Sequence, residues 1–328
     1  MGTQRHSMNP EMQARTGATP LVSVVILTYR RREALSRSLA AARAQDYPNL
    51  EIIVVDNHSD DGTPEFVRAA APAAILVEMS RNEGACAGRN AGVCAASGEI
   101  IVLLDNDVYF NTPSEVSRIV ANFEWRPDVH VLACQLCNEA GQILDREWCH
   151  PKAWRDYGQT EFETNYFVEG ACAMRRVVFE TCGGFYEPLF IFCEGYDFAL
   201  RIFDAGYRML YSPNVKLCHL MSQETRTPER PYYFFTRNYI WISFKNFRLF
   251  RGLAALAPKL GMMAYFTIRT GHYGAFTRGL WDGLTGIGRV RQDRTLISPS
   301  ALRRFDHFES LRPPLRVRLA RHRVQPQI

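Results

Sequence analysis

The segment Glu99-Ile100-Ile101-Val102-Leu103-Leu104-Asp105-Asn106-Asp107 limits most tightly what this chain can fold into. A run of branched apolar residues, cut off by two carboxylates, reads as a short strand buried on both faces of a parallel sheet. Ligands of open α/β sheets bind just past the carboxyl ends of such strands. Asp105 and Asp107 therefore stand where a metal ion and a phosphate can be held together, because Mg²⁺ and Mn²⁺ commonly bridge one or two carboxylates to a substrate diphosphate. An acidic cap after a strand is the plainer reading, and Asp-x-Asp alone does not choose between them.

The preceding residues repeat the same alternation. Val22–Leu27 and Glu51–Val55 read as strands, Arg32–Ala44 as a helix between them, and Thr63-Pro64-Glu65 as a helix start with proline in its first turn. Ala74–Met79 is a shorter strand, followed by a small-residue helix over Gly84–Ala96. Strands alternating with helices at this spacing make βαβ units on a mostly parallel sheet, an α/β fold. After Phe110 the pattern loosens. Val131–Leu144 reads as a hairpin around Asn138–Gly141, and a helix runs from Arg175 to Gly183-Gly184.

Composition sets the outer bounds. A chain of 328 residues with 47% hydrophobic content holds one large domain, or one domain with an appendage. The net charge of +5 is mild, but arginines crowd the far end: Arg289, Arg291, Arg294, Arg303, Arg304, Arg312, Arg316, Arg318, Arg321 and Arg323. That asymmetry points to an anionic neighbour, lipid headgroups or a polyanionic substrate, or simply to a solvated tail. From Pro231 aromatic and basic residues interleave, and helix-like stretches follow at Leu253–Ile268 and Ala275–Ile287. Such segments lie on a membrane surface or close a core. No RNA-binding signature accompanies them, so nucleic acid is not expected as a partner. Residues 1–20 lack an apolar targeting core and read as a leader, and no run is long enough to span a bilayer. Nine scattered cysteines fit a reducing cytoplasm. Cys134-x-x-Cys137 with Cys149-His150 has zinc-like spacing, but strand alternation would turn Cys134 and Cys137 to opposite faces.

Polar strand ends now collect on one sheet edge: Thr28-Tyr29, Asp56-Asn57 and Asp105-Asn106-Asp107. Arg81-Asn82-Glu83-Gly84 and Gly88-Arg89-Asn90-Ala91-Gly92 add glycines and a guanidinium that suit a phosphate. With these residues in view the chain resembles the family-2 glycosyltransferases, inverting enzymes of the GT-A fold. The matching set is Val22–Tyr29, Glu51–Thr63, Asn82-Glu83-Gly84, Arg89–Gly92, Asp105–Asp107, Gly183-Gly184-Phe185, Glu194–Arg201, Ala205-Gly206-Tyr207 and Pro213–His219. In its downstream histidine and aromatic C-terminal region it is similar to the rhamnosyl- and galactosyltransferase branch that builds surface polysaccharides.

The resemblance implies a fold, a reaction and roles. The fold is a GT-A, Rossmann-like sheet flanked by helices over 21–225, divided near 110 into a nucleotide half and an acceptor half. An amphipathic helical region over 226–295 and a basic tail over 296–328 follow. The reaction moves a hexose from a UDP- or dTDP-sugar to a glycan or lipid-linked acceptor, on the inner membrane face, with the C-terminal third docking to membrane or acceptor or forming a homo-oligomer. Asp56 would read the base, with Thr28, Tyr29, Arg31, Asn57, Asn82 and Gly84 around base, ribose and phosphates. Arg89 would neutralise phosphate or support the carboxylates. Asp105 and Asn106 would meet the ribose, and Asp107 and His219 would hold Mn²⁺ or Mg²⁺. Glu169 and Gly170 would line the acceptor and donor sugar pocket, which makes Glu169 a second candidate carboxylate, with Trp148, Trp154 and Tyr157 as stacking candidates.

The departure from the family lies at Phe192-Cys193-Glu194-Gly195-Tyr196-Asp197. The family usually has Glu-Asp-x-Asp there, with the second residue as general base, and here Gly195 takes that place. Glu194 is then the favoured base and Asp197 the second choice, unless Asp197 is a helix first-turn residue. Gly195 also motivates a rival, a non-catalytic nucleotide-sugar or glycan-binding protein. A nucleotidyltransferase is disfavoured because Thr28–Arg32 contains no glycine.

Overall fold

The computed structural model describes residues 19–220 and 227–312. Its nine strands form one sheet: β1 (Val22–Thr28), β2 (Leu50–Asp56), β3 (Ile75–Glu78), β4 (Ile100–Asp105), β5 (Val108–Phe110), β6 (Val131–Cys137), β7 (Phe162–Glu163), β8 (Ala171–Arg175) and β9 (Met209–His219). The spatial order is β3-β2-β1-β4-β8-β6-β9-β5, with β7 on β9. Strands β1 to β4 are mutually parallel, β8 runs antiparallel to both β4 and β6, and β6 and β9 are parallel. The sheet is the mostly parallel α/β architecture that the sequence predicts.

The helices are α1 (Arg32–Arg43), α2 (Thr63–Ala70), α3 (Gly84–Ala95), α4 (Glu115–Trp125), α5 (Trp154–Tyr157), α6 (Arg176–Cys182), α7 (Glu194–Asp204), α8 (Arg230–Asn246), α9 (Leu249–Thr270), α10 (Tyr273–Thr285), α11 (Ile287–Val290) and α12 (Pro299–Ser310). Because side chains alternate along a strand, the sheet feeds two cores. Val24, Ile26, Val102 and Leu104 pack with Leu35 and Leu39 of α1 and with Ile119 and Phe123 of α4. Val25, Leu27, Ile101 and Leu103 face the other way, toward Phe179, Phe198 and Phe203. The same second core takes in Ile240, Trp241, Phe247, Leu256, Val290 and Phe305, so the helices after residue 229 close that face of the sheet.

Two expectations change. The hairpin shrinks to β6 and one bridge, Cys137 to Ile143, after which the chain turns into a short 3₁₀ segment, Asp145–Glu147. The aromatic helix α8 is more than amphipathic: it buries Arg237, Asn238, Lys245 and Asn246 against the core. Among the described residues no helix is long and apolar enough to cross a membrane. Residues 1–18, nearly all of the expected leader, and Arg316, Arg318, Arg321 and Arg323 of the basic tail lie outside the described residues. Part of the expected tail, residues 299–310, is helix α12, which packs Phe305 and Phe308 against Phe203 of α7.

Candidate active site

Parallel pairing delivers Thr28, Asp56 and Asp105 to one edge: Thr28 is opposite Asp56, and Leu27 is opposite Asp105. A cavity of about 990 Å³ opens there, large enough for a nucleotide with a sugar attached. Along one wall stand Thr28, Tyr29, Arg31, Asn57, Asn82 and Gly84. Asn57 ties two loops together. Its Nδ2 donates to Asn82 Oδ1 (3.2 Å) and to the Gly84 carbonyl (3.0 Å), and its Oδ1 accepts from Glu83 N (3.0 Å). Gly84 has φ +87°, and a Cβ there would sit 2.6 Å from the Phe190 ring, so both backbone and space call for glycine. Asn106 is a strut: its Nδ2 donates to Thr28 Oγ1 (3.1 Å), and its carbonyl accepts from Ser38 Oγ (2.7 Å).

Asp56 does not line the cavity. It is 2% exposed, its Oδ2 accepts from Ser59 N (3.0 Å), and its Oδ1 is buried without a partner. The expected direct contact with a base ring is therefore not made by the carboxylate as it stands here.

Asp107 and His219 meet because β5 pairs with the end of β9, placing Val108 opposite His219. His219 Nε2 is 3.5 Å from Asp107 Oδ1, and its Nδ1 is 2.7 Å from the Glu147 carboxylate. Arg31 donates to Asp107 Oδ2 at 2.7 Å. Burial works against the imidazolium, but bonds to Asp107 and Glu147 push its pKa up to about 10. A histidine fixed through Nδ1 by a carboxylate, with Nε2 facing another oxygen ligand, is oriented as a metal-ligating histidine is. The donor set, carboxylate oxygen plus imidazole nitrogen, fits a divalent cation. Among the described residues no three His, Cys, Asp or Glu side chains close a metal shell on their own.

The far wall is acidic. Arg89 donates to Asp105 Oδ1 (2.7 Å) and to Glu194 Oε1 (2.9 Å). Burial opposes its charge, and the two carboxylates outweigh burial and hold it cationic. Glu194 is 3% exposed, and its Oε2 is buried without a partner. Burial raises the Glu194 pKa against the pull of Arg89. Glu169 lies part-exposed beside it, where burial and the Glu194 charge push its pKa up to about 8. Its Oε1 accepts from Gly195 N at 2.6 Å. Gly170 is behind the surface, where any Cβ would collide with the Asp105 carboxylate.

Asp197 is not brought to the cavity. It is fully buried, bonded to Arg201 (2.7 Å), Lys245 (3.1 Å) and Asn246 (2.6 Å). Burial alone would raise its pKa, but Arg201 and Lys245 hold it down at about 2. It is a core ion-pair residue and cannot meet an acceptor hydroxyl. Of the aromatic candidates Trp148 lines the cavity, whereas Trp154 and Tyr157 do not. The zinc spacing also dissolves: Cys137 Sγ faces Cys218 Sγ at 3.4 Å, and His150 Nδ1 pairs with Thr164 Oγ1 at 3.0 Å.

Sequence reasoning missed Glu147 and the clamp on α8. Phe190, Phe192 and Cys193 have φ of +66°, +66° and +65°, a left-handed backbone that costs non-glycine residues roughly 1–3 kcal/mol each. Asn238 Nδ2 donates to the carbonyls of Leu189 (3.0 Å), Ile191 (2.9 Å) and Phe192 (2.8 Å), and Arg237 donates to Leu189 O (2.7 Å). The signal available was a pair of polar dipeptides, Arg237-Asn238 and Lys245-Asn246, inside an otherwise aromatic helix.

The mostly parallel sheet flanked by helices is the GT-A fold. Its solved counterparts include the mannosyltransferase PcManGT from Pyrobaculum calidifontis in complex with GDP-Man and Mn²⁺ (TM-score 0.53, 20% identity, covering 82% of this chain and 87% of that one) and S. aureus TarS 1-349 (TM-score 0.55, 17% identity, 90% and 91%). Residues 23–183, just under half of the chain, match the family model described as glycosyl transferase family 2. It is 27% identical over 260 residues to the O-antigen biosynthesis protein RfbC of Myxococcus xanthus, covering 71% of this chain and 20% of that protein. It is 40% identical over 98 residues to the glycosyltransferase AglE of Haloferax volcanii, covering 28% of this chain and 32% of that protein. The chain thus spans a third or less of the length of these two relatives.

Proposed function

We propose that this protein is a metal-assisted, inverting glycosyltransferase of cell-surface polysaccharide synthesis. It takes a hexose from a UDP- or dTDP-sugar and gives it to a glycan or lipid-linked glycan. The observation that carries this reading is the convergence of Asp105, Asp107, His219, Arg31 and Arg89 at the carboxyl edge of β1 and β4. Asp107 and His219 would hold the cation, which supplies Lewis-acid stabilisation to the departing diphosphate. Arg31 positions Asp107, and Arg89 fixes Asp105 beside the sugar end of the cavity. A carboxylate of the acidic wall takes the acceptor proton, and attack from the face opposite the leaving group inverts the anomeric carbon. Exposed Phe250, Ile268 and Trp281, with Arg248, Arg269 and Arg278 nearby in sequence, support contact of α9 and α10 with an anionic membrane surface.

The test is nucleotide release from a panel of UDP- and dTDP-sugars with Mn²⁺, with and without glycan acceptors, for wild type and Asp107→Asn. The expected result is Mn²⁺-dependent release that falls about 100-fold or more in the variant. Binding of nucleotide-sugar with no release from any donor, acceptors present, would overturn the enzymatic reading.

A further inference from the structure

We propose that Glu169, on the loop before β8, takes the proton from the acceptor hydroxyl, its carboxylate standing in the space left by the missing side chain of Gly195. The inference rests on the glycosyltransferase reading and names a catalytic residue for it.

Asp105, Glu169 and Glu194 line the sugar end of the cavity, Asp197 lies behind it, and all but Glu169 are committed elsewhere. Asp197 is sealed in the core by Arg201, Lys245 and Asn246. Asp105 and the near-buried Glu194 share Arg89, and a carboxylate locked to a guanidinium is a poor proton acceptor. Glu169 lines the cavity, is part-exposed, and makes no salt bridge among the described residues.

The backbone of Gly195 is ordinary helix, with no positive φ, so glycine is not required there for conformation. It is required for space. A Cβ on residue 195 would lie 2.6 Å from Glu169 Cδ and 2.9 Å from its Cγ. Any side chain at 195 would expel the Glu169 carboxylate, and with glycine there the carboxylate enters from the opposite wall. The Gly195 amide then holds Oε1 at 2.6 Å, leaving Oε2 to receive the proton. Burial and the neighbouring Glu194 charge make Glu169 a stronger base than an ordinary glutamate. The glycine that favoured a non-catalytic protein is thereby accounted for as half of an exchange.

In the reaction the acceptor oxygen bonds to the sugar C1 as the C1–O bond to the diphosphate breaks. The electron pair stays on the leaving oxygen. The hydroxyl proton passes to Glu169 and afterwards to solvent.

The experiment compares wild type, Glu169→Gln, Glu194→Gln, Glu169→Ala and Glu169→Ala/Gly195→Asp. Nucleotide release from the donor that wild type uses is one readout, and thermal shift with UDP and Mn²⁺ is the other. Glu169→Gln should lose about 100-fold or more in kcat while keeping the UDP shift. Glu169→Ala should regain activity with added sodium formate, or when Gly195→Asp returns a carboxylate from the helix side. Glu169→Gln within fivefold of an active wild type overturns this assignment and leaves the proposed function standing. A wild type silent on every donor overturns both. If Glu169→Gln loses the UDP shift as well, Glu169→Ala decides: recovery by formate or by Gly195→Asp upholds the assignment, and no recovery by either overturns it.

Discussion

The Lys245 ammonium on α8 donates to Asp197 Oδ1 on α7 at 3.1 Å, in a site where Lys245 is 4% exposed and Asp197 is sealed. The bond joins a helix far along the chain to the first turn of the helix that carries Glu194. Removing one partner of a buried ion pair typically costs about 3–5 kcal/mol, because the other is left uncompensated. Asp197→Ala should therefore lower thermal stability sharply, and chemical denaturation will measure it. If folded Asp197→Ala protein has normal stability, the structural role is wrong.

The same carboxylate sets an acid limit. Its folded-state pKa is held down at about 2, below its ordinary value of 3.8. The stabilisation from Asp197 is complete above the unfolded value and is lost as pH falls from about 4 through about 2. Wild type should lose stability over that window, and a folded Asp197→Asn variant should lose less across it. Equal acid sensitivity of the two would contradict this.

Asn238 holds three carbonyls of the segment that bears three left-handed residues. Asn238→Ala should let that segment relax, displacing Cys193 and Glu194 from the cavity wall. Because small misplacements near reacting atoms cost about 10–100-fold, kcat should fall by that order. The UDP–Mn²⁺ thermal shift, which reads the opposite wall, should persist.

Turnover limited by an ionised Glu169 should rise with pH through about 8, since the base acts only after losing its proton. Cys193 just ahead of α7, Cys149 and Tyr166 face the same carboxylate, but burial raises their pKa values and keeps them neutral. Glu194 and Arg89 are the charges that shift it. Glu194→Gln removes the like charge, so its pH profile should move to lower pH. A profile unmoved in Glu194→Gln would sink the coupling.

Phe250, Trp281 and Ile268 are 86%, 70% and 68% exposed. If α9 and α10 rest on an anionic membrane, wild type will sediment with phosphatidylglycerol-containing vesicles and less with phosphatidylcholine alone. Phe250→Ser/Trp281→Ser should weaken sedimentation about tenfold or more, because each buried aromatic contributes roughly 1.5–3 kcal/mol. Concentration-dependent self-association with no vesicle binding would assign the patch to a second copy.

Much of the donor side was legible in the sequence because strand ends are local signals. The apolar run 100–104 and its carboxylates locate β4, and the resemblance orders the rest. The hairpin around Asn138–Gly141 does form but closes on a single bridge, and the chain beyond it then carries Glu147 to His219. Asp197 looked like a base from its spacing, but what decides its role is Lys245, forty-eight residues away. Asp56 was placed on the correct edge, yet side-chain direction follows from the Ser59 amide rather than from position in the strand. Glu169 and Gly195 are twenty-six residues apart, and their shared volume becomes visible only when α7 docks against β8.

The clamp on Phe190–Cys193 has a consequence for the order in which the molecule can be completed. A growing chain that has reached the end of β9 already carries Asp105, Asp107 and His219, but the carbonyls of Leu189, Ile191 and Phe192 still lack the side chain that gathers them. That restraint arrives with residues 237 and 238. A fragment ending before α8 would be half a tool, with one jaw in place and the other left without its clamp.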